Sequence, residues 1–134
     1  MEYALSNDSI SIKVSTAGGS FTSIEADGRE YLWQGDPAVW SGQAPICFPI
    51  CGGLRDNSAM TFAGHHVKLA RHGFARKQEW KLLSQGENEL AMCLASEDNA
   101  ALLSDYPYPF KLVARYTLEG DAVRVSYEVT NEGT

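Results

Sequence analysis

The sequence predicts an all-β fold of mostly antiparallel strands with one short helix. Apolar and polar residues alternate along much of the chain, with the period of two that is typical of a half-buried strand. Turn signals separate these stretches, for example Asp27-Gly28, a pair that favours a tight hairpin. Only residues 97–104 fit a helix, which is expected to end near Tyr106-Pro107. These patterns indicate a β-sandwich or a large twisted sheet and do not distinguish between the two.

The N-terminal part is predicted to be an antiparallel meander with strands at residues 10–14, 21–25 and 30–33. Alternation in the first strand places Ile10, Ile12 and Val14 on one face.

The next segment, residues 34–57, is irregular and rich in glycine and proline. It is interpreted equally well as a functional loop and as a loop pinned by buried aromatic rings. Three aromatic residues in this region, Trp33, Trp40 and Phe48, are candidates for stacking on a ligand, although a place in the core is favoured for each of them.

The C-terminal part is predicted to form three hairpins. Their strands are expected at residues 59–62 and 66–69, 79–84 and 89–96, and 110–118 and 122–130. In the last strand, the apolar face is formed by Val123, Val125, Tyr127 and Val129, and the other face by Arg124, Ser126 and Glu128. Because this strand presents an unpaired edge, we expect a homodimer or strand exchange through it.

Composition narrows the class of protein. The 134 residues are 44% hydrophobic and 21% charged, which predicts a single folded domain over residues 1–134. A net charge of −6 argues against nucleic acid as a partner, and no apolar run is long enough to span a membrane. The first residues lack the features of a signal peptide, and three cysteines without a disulfide framework suit a reducing compartment, so a cytoplasmic location is expected.

The spacing of cysteine and histidine residues disfavours metal and thiol chemistry. Cys47 and Cys51 are not spaced as a zinc pair, and the adjacent His65 and His66 would point to opposite faces of a strand. All three cysteines, including Cys93, have apolar neighbours and are expected to be buried and inert. No metal site is therefore predicted, and a metal-dependent β-protein stays a third interpretation that metal analysis would test.

The segment Arg71–Arg76 concentrates polar chemistry in a few residues. His72 can give or take a proton near neutral pH, and Arg76 offers a rigid fork of donors that suits hydroxyls, carboxylates and phosphates. Gly73 allows the backbone to turn where a side chain would block it. From local composition alone, a surface histidine beside a salt-bridged arginine is favoured over a ligand site.

The order of the motifs points further than any motif alone. They are Gly18-Gly19, Glu30-Tyr31-Leu32-Trp33-Gln34, Pro45-Ile46-Cys47-Phe48-Pro49-Ile50-Cys51-Gly52, His72-Gly73-Phe74-Ala75-Arg76, Trp80, Tyr106-Pro107-Tyr108-Pro109-Phe110 and Val125–Asn131. This series resembles the N-terminal part of an aldose 1-epimerase, in the galactose mutarotase-like superfamily, and most of all the branch of LacX-type proteins and hexose-phosphate mutarotases. The resemblance implies the N-terminal portion of a galactose mutarotase-like supersandwich, the N-terminal half of a larger protein.

The resemblance also implies an activity, the interconversion of α and β anomers of an aldose. A base deprotonates the anomeric hydroxyl, an acid protonates the ring oxygen, and the ring opens and recloses on the other face. No cofactor is needed, and the partner is a small sugar or a sugar phosphate.

The resemblance assigns some residues and leaves other positions empty. His72 corresponds to the first active-site histidine, which binds sugar oxygens and stabilises charge during ring opening, and Arg76 lies beside that pocket. The family's arginine after the Phe-Pro-x-x-Gly glycine is replaced by Gly53, so Arg55 becomes a substitute substrate-binding candidate.

The family's general acid histidine and base glutamate have no counterpart in residues 1–134. The chain alone is therefore expected to be inactive or weak, and the alternative function is a non-catalytic carbohydrate-binding or regulatory β-module.

Overall fold

Two four-stranded antiparallel sheets dominate the computed structural model, which describes residues 1–134. The first sheet is a meander in the order β1-β2-β3-β4, formed by Glu2–Ser6, Ser11–Ser15, Phe21–Ala26 and Arg29–Glu30. A small hairpin pairs β5, Ser58–Met60, with β6, His66–Lys68. The second sheet has the order β10-β9-β8-β7 and is formed by β7 Lys81–Gln85, β8 Glu89–Ala95, β9 Phe110–Glu119 and β10 Ala122–Asn131. The predicted all-β fold is confirmed.

The core lies between the two large sheets, because each turns its apolar face toward the other. One cluster of 15 buried residues contains Ile10, Ile12 and Val14 from the first sheet and its N-terminal turn, together with apolar residues of β8 and β9. The predicted common face of these three residues is therefore confirmed. The opposite face of the second sheet carries a smaller cluster of four residues, Ala91, Cys93, Ala95 and Val113.

The helix is shorter than predicted and begins later. Only Leu102–Asp105 is α-helical, whereas a helix was expected over residues 97–104. Residues near the expected start form turns instead, and the side-chain amide of Asn99 donates a hydrogen bond to Gln78 Oε1 at 2.9 Å. The backbone N–H groups of Asp98 and Asn99 donate to the Ala95 and Ser96 carbonyls in these turns. No helix in the structure has the length and apolarity needed to cross a membrane.

The strand expected at residues 30–33 stops after Glu30. The Glu30 carboxylate accepts hydrogen bonds from the backbone N–H of Ile24 at 2.8 Å and of Leu32 at 2.9 Å, and from Ser23 Oγ at 2.5 Å. A side chain thus takes donors that a longer strand would have paired with backbone carbonyls. Strand β1 was not predicted, because its short sequence lacks a strong alternation.

The aromatic residues of the irregular segment divide between surface and core. Trp33 is 42% exposed and Trp40 is 50% exposed, so the expectation that they belong to the core is wrong. The indole N–H of Trp33 donates to the Trp40 carbonyl at 2.8 Å, which holds the two residues together at the surface. Phe48, in contrast, packs against the main core as expected.

Strand β10 forms one edge of the second sheet. Its apolar face begins against the core, where Val123 and Val125 are partly buried, and then leaves the core, where Tyr127 is 56% and Val129 is 60% exposed. The outer side of the strand has no partner in the sheet. Such an edge is a template for pairing with another strand.

We predict that the 134-residue chain dimerises by antiparallel pairing of two β10 strands about Ser126. In this register Arg124 faces Glu128 of the second copy on both sides of the axis, and opposite charges at facing positions stabilise strand pairs. Light scattering is expected to show a dimer for the wild type and a monomer for Arg124→Glu. The double variant Arg124→Glu, Glu128→Arg should dimerise again, because it restores the facing charges. A wild-type monomer would contradict the prediction.

Glu30 is predicted to make stability depend on acidic pH. Partial burial raises the pKa of its carboxyl, but hydrogen bonds from Ser23 and from the backbone N–H groups of Ile24 and Leu32 outweigh burial, so the pKa is lowered. The stabilisation is thus present above the pKa of an unfolded glutamate, about 4.3, and is lost as the pH falls through the folded pKa. Urea unfolding of Glu30→Gln should therefore depend less on pH in this range than the wild type. Glu87→Gln, in an exposed turn, should keep the wild-type profile.

Candidate functional site

His72 is fixed by backbone hydrogen bonds to the Phe-Pro segment. Its N–H donates to the Gly52 carbonyl at 2.8 Å, and its carbonyl accepts from the Phe48 N–H at 3.2 Å. Its φ angle is 67°, in the left-handed region that costs a non-glycine residue about 1–2 kcal/mol. An unfavourable conformation that is held by several contacts is often found at a functional site.

The ring of His72 also has a defined hydrogen-bond partner. Its Nδ1 lies 2.9 Å from the Gly52 backbone nitrogen and accepts the N–H of that residue. Because Nδ1 is the acceptor, the proton of the neutral imidazole is on Nε2. Nε2–H makes no hydrogen bond within the chain, so His72 presents a free donor. A free N–H of this kind suits a hydroxyl or a ring oxygen of a ligand.

Gly73 allows the two segments to approach this closely. Its φ angle is 72°, and a Cβ at this position would lie 2.1 Å from the Phe48 carbonyl oxygen. That carbonyl accepts hydrogen bonds from the N–H groups of Phe74 at 2.9 Å and Ala75 at 3.2 Å. The glycine predicted from the sequence to permit a turn therefore also permits direct backbone contact.

Arg76 lies on the next turn and has no ion-pair partner. Its Nη2 donates to the Arg71 carbonyl at 3.0 Å, while its Nε is buried without any partner. None of the five ion pairs in the structure involves Arg71 or Arg76, so the expectation of a salt-bridged arginine is wrong. The positive charge of Arg76 is therefore available to a ligand or to neighbouring groups.

An open cleft of about 460 Å³ lies beside Arg76. Its lining combines hydroxyl and amide side chains with two cations and one exposed indole: Ser15, Ser20, Thr22, Ser41, Gln43, Arg76, Lys77 and Trp40. Lys77 also has no ion-pair partner. His72 does not line this cleft, so Arg76 is the one predicted site residue found there.

A second group of side chains lies around Cys47. The sulfur atoms of Cys47 and Cys51 and a ring nitrogen of His72 all lie within 4.8 Å of one another. The positive charge of Arg76 acts on the Cys47 thiol, and that thiol in turn helps burial to raise the pKa of Tyr127. Tyr127 of edge strand β10 lines the same pocket as Cys47, so His72 and the edge strand both lie near this thiol.

Comparison with known proteins decides the family. The model of the family described as aldose 1-epimerase matches residues 1–134. The chain belongs to the aldose 1-epimerase family. The LacX proteins of Lactococcus lactis subsp. lactis, plasmid and chromosomal, are each 42% identical over 139 residues, which cover 98% of this chain and 45% of the relative. The chain thus spans less than half of the length of these curated relatives.

Solved structures of similar proteins share the fold. A galactose mutarotase related enzyme from Lactobacillus acidophilus has a TM-score of 0.91 and 28% identity, covering 98% of this chain and 43% of that one. The Slr1438 protein of Synechocystis sp. PCC 6803 has a TM-score of 0.84 and 31% identity, covering 99% of this chain and 49% of that one. The galactose mutarotase-like fold of this aldose 1-epimerase family member is therefore confirmed, as is the resemblance to the N-terminal half.

Arg55 is not brought into contact with the other predicted residues. It begins a 3-10 turn at Arg55–Asn57, is exposed, and forms no side-chain hydrogen bond or ion pair. Arg55 is near the site only in sequence, since it lies three residues after Gly52. The substrate-binding role of Arg55 therefore stays a prediction in this family member. His72 and Arg76, in contrast, lie on consecutive turns of one segment.

The thiols are the groups that sequence reasoning misjudged. Cys93 is buried as expected, but Cys47 and Cys51 are exposed, so the expectation of three buried cysteines is wrong for these two. Apolar neighbours in sequence do not bury a residue in an irregular segment, because successive side chains there need not share a face. The signal that was available is that both cysteines flank the Phe48-Pro49 pair, which contacts His72.

We predict that Gly73→Ala destabilises the protein far more than Gly64→Ala. Both glycines have positive φ angles, 72° and 83°, but a Cβ at Gly64 meets nothing within 4 Å. Gly64→Ala should therefore cost about 1–2 kcal/mol from backbone strain alone. Gly73→Ala should cost about 1–3 kcal/mol more, because the Phe48 backbone must move. Equal shifts of the urea midpoint for the two variants would show that the close contact is unimportant.

Proposed function

We propose that this chain contributes the His72 wall of a sugar site in a mutarotase. The reaction is the interconversion of α and β anomers of an aldose by acid–base ring opening. The observation that carries the proposal is the free Nε2–H of His72, held by the Gly52 N–H within the His-Gly-Phe-Ala-Arg segment of an aldose 1-epimerase family member. The free cysteines further support a cytoplasmic location.

His72 is suited to bind and stabilise rather than to remove the first proton. Its Nδ1 lone pair accepts the Gly52 N–H, and in the neutral ring Nε2 carries a proton, so no lone pair is left to take a proton from a sugar hydroxyl. A donor at Nε2 stabilises negative charge as it develops on a sugar oxygen during ring opening. No carboxylate forms an ion pair or hydrogen bond with His72. We therefore propose that the 134-residue chain alone has little mutarotase activity.

The cleft beside Arg76 supports a phosphorylated sugar as the ligand. Arg76 and Lys77 place two cations there without ion-pair partners, although the chain as a whole has a net charge of −6. A phosphate accepts charge-assisted hydrogen bonds from guanidinium and ammonium groups, whereas a neutral hexose cannot form them. The exposed indole of Trp40 adds an apolar wall to the same cleft.

A non-catalytic carbohydrate-binding module is the second candidate function. It is favoured by the lack of any carboxylate in contact with His72 and by the polar lining of the cleft. The two candidates differ in a measurable way, because a binding module would hold a sugar without changing its rate of anomer exchange.

The proposal is tested by binding and by anomer exchange, both followed by NMR. The 134-residue chain is expected to bind a hexose 6-phosphate more tightly than the free hexose and to accelerate the exchange of neither by much. His72→Asn should lose about tenfold in affinity, equivalent to one lost hydrogen bond to a ligand of about 1.4 kcal/mol. Asparagine tolerates the left-handed backbone and can accept the Gly52 N–H, so only the Nε2–H donor is removed.

Two controls separate binding from folding. His66 is exposed on strand β6, so His66→Ala should leave affinity unchanged. Arg76→Gln should reduce the preference for the phosphorylated sugar while keeping the weaker binding of the free hexose. Strong acceleration of anomer exchange by the 134-residue chain, abolished by His72→Asn, would overturn the claim of weak activity. Unchanged binding by His72→Asn would overturn the assignment of His72.

A further inference from the structure

We propose that Cys47 and Cys51 form a reversible disulfide, which makes the loop beside His72 a thiol–disulfide switch. Both thiols are exposed, and their sulfur atoms lie within 4.8 Å of each other. The third cysteine, Cys93, is buried in the small cluster on the other face of the second sheet. Only one pair in the chain is therefore placed for an exchange reaction with a solute.

The remaining gap between the two sulfurs is small enough for local movement to close. A disulfide bond is about 2 Å long, so the sulfurs must approach by up to about 3 Å. Exposed side chains change rotamer freely, and a change of rotamer moves a sulfur by this order of distance. The backbone groups of Cys47 and Cys51 also form no backbone hydrogen bonds, whereas those of Phe48 and Gly52 are held by the His72 segment. The two cysteines thus lie at the adjustable positions of an otherwise anchored loop.

The neighbours of Cys47 moderate its reactivity. Cys47 is an exposed residue, but partial burial of its thiol is the main factor that raises the thiol's pKa; the nearby Cys51 thiol raises it further, and the positive charge of Arg76 opposes both. A ring nitrogen of His72 lies within 4.8 Å of the Cys47 sulfur, and Tyr127 lines the same pocket as Cys47. Thiolate is the reactive form, so the raised pKa of Cys47 should slow its reaction with a disulfide oxidant at neutral pH.

The reaction requires a small-molecule disulfide as the oxidant. One protein thiolate attacks a sulfur of that disulfide, forms a mixed disulfide and releases half of the reagent as a thiolate. The second protein thiolate then attacks the protein sulfur of the mixed disulfide and releases the other half. The two protein thiols lose two electrons and two protons, and the reagent gains them as two thiols. A reducing compartment would reverse the exchange, as for other regulatory disulfides in the cytosol.

The effect of the disulfide would reach His72 through Gly52. Gly52 directly follows Cys51, and it both donates its N–H to His72 Nδ1 and accepts the His72 N–H. A disulfide at Cys51 therefore shifts the Gly52 N–H. This N–H bonds to Nδ1 and so leaves the ring proton of His72 on Nε2. Oxidation should be visible as a shift of the His72 ring nitrogen resonances, while those of His65 and His66 on the small hairpin stay unchanged.

The test uses the 134-residue chain with oxidised glutathione and needs no sugar. After denaturation and alkylation, the reduced chain should take three alkyl groups and the oxidised chain one, since two of the three free cysteines are consumed. Cleavage after lysine and arginine leaves both cysteines in the peptide 30–55, which should become lighter by about 2 Da. A reducing agent should restore the original mass and the original His72 signals.

Three variants distinguish the proposed bond from other oxidation products. Cys93→Ser should still form the bond, whereas Cys47→Ser and Cys51→Ser should each stop at a stable glutathione adduct. Glutathione adducts or intermolecular dimers of the wild type, without the lighter peptide, would overturn the proposal. Formation of the lighter peptide without a change in the His72 signals would overturn the link to His72. Either result is independent of whether the protein binds a sugar.

Discussion

The packing of the two sheets and of the His72 segment depends on the buried indole of Trp80. Its ring is 2% exposed and packs so closely on Gly19 that a Cβ there would lie 2.4 Å from the ring. Its N–H donates to the Ala75 carbonyl at 2.9 Å. From the other sheet, the hydroxyl of Tyr116 donates to the Gly19 carbonyl at 2.5 Å. The turn after β2, strand β9 and the turn that carries Arg76 are thus joined through Gly19 and Trp80.

The energies involved differ between the buried Trp80 ring and the strained His72 backbone. Burying a tryptophan removes roughly 150–250 Å² from water, worth about 4–6 kcal/mol as an upper estimate. The left-handed conformation of His72 costs about 1–2 kcal/mol. The backbone hydrogen bonds to Phe48 and Gly52 and the bond to Nδ1 act on His72 directly, and together they hold the imidazole in one orientation.

The sequence was most informative where side chains alternate and least informative where they do not. The hairpin of β9 and β10 was predicted to within a residue at its ends, because period-two alternation reports directly which face is buried. Strand β4 was misplaced because the Glu30 carboxylate takes backbone donors there, and the helix was misplaced because the chain forms turns at Asp98 and Asn99. His72 and Arg76 could be chosen from motif order. Their proximity to Cys47 and Tyr127 could not be predicted, because it depends on how an irregular segment packs against a distant strand.

The hydrogen bond from Gly52 also decides what the imidazole can do beside two thiols. A neutral histidine ring binds a metal ion through the nitrogen that carries no proton. In His72 that nitrogen is Nδ1, and it already accepts the Gly52 N–H at 2.9 Å. Zinc binding by Cys47, Cys51 and His72 would break this bond and leave a backbone donor without its partner. The same backbone group therefore favours His72 as a hydrogen-bond donor toward a ligand and leaves the two thiols to react with each other.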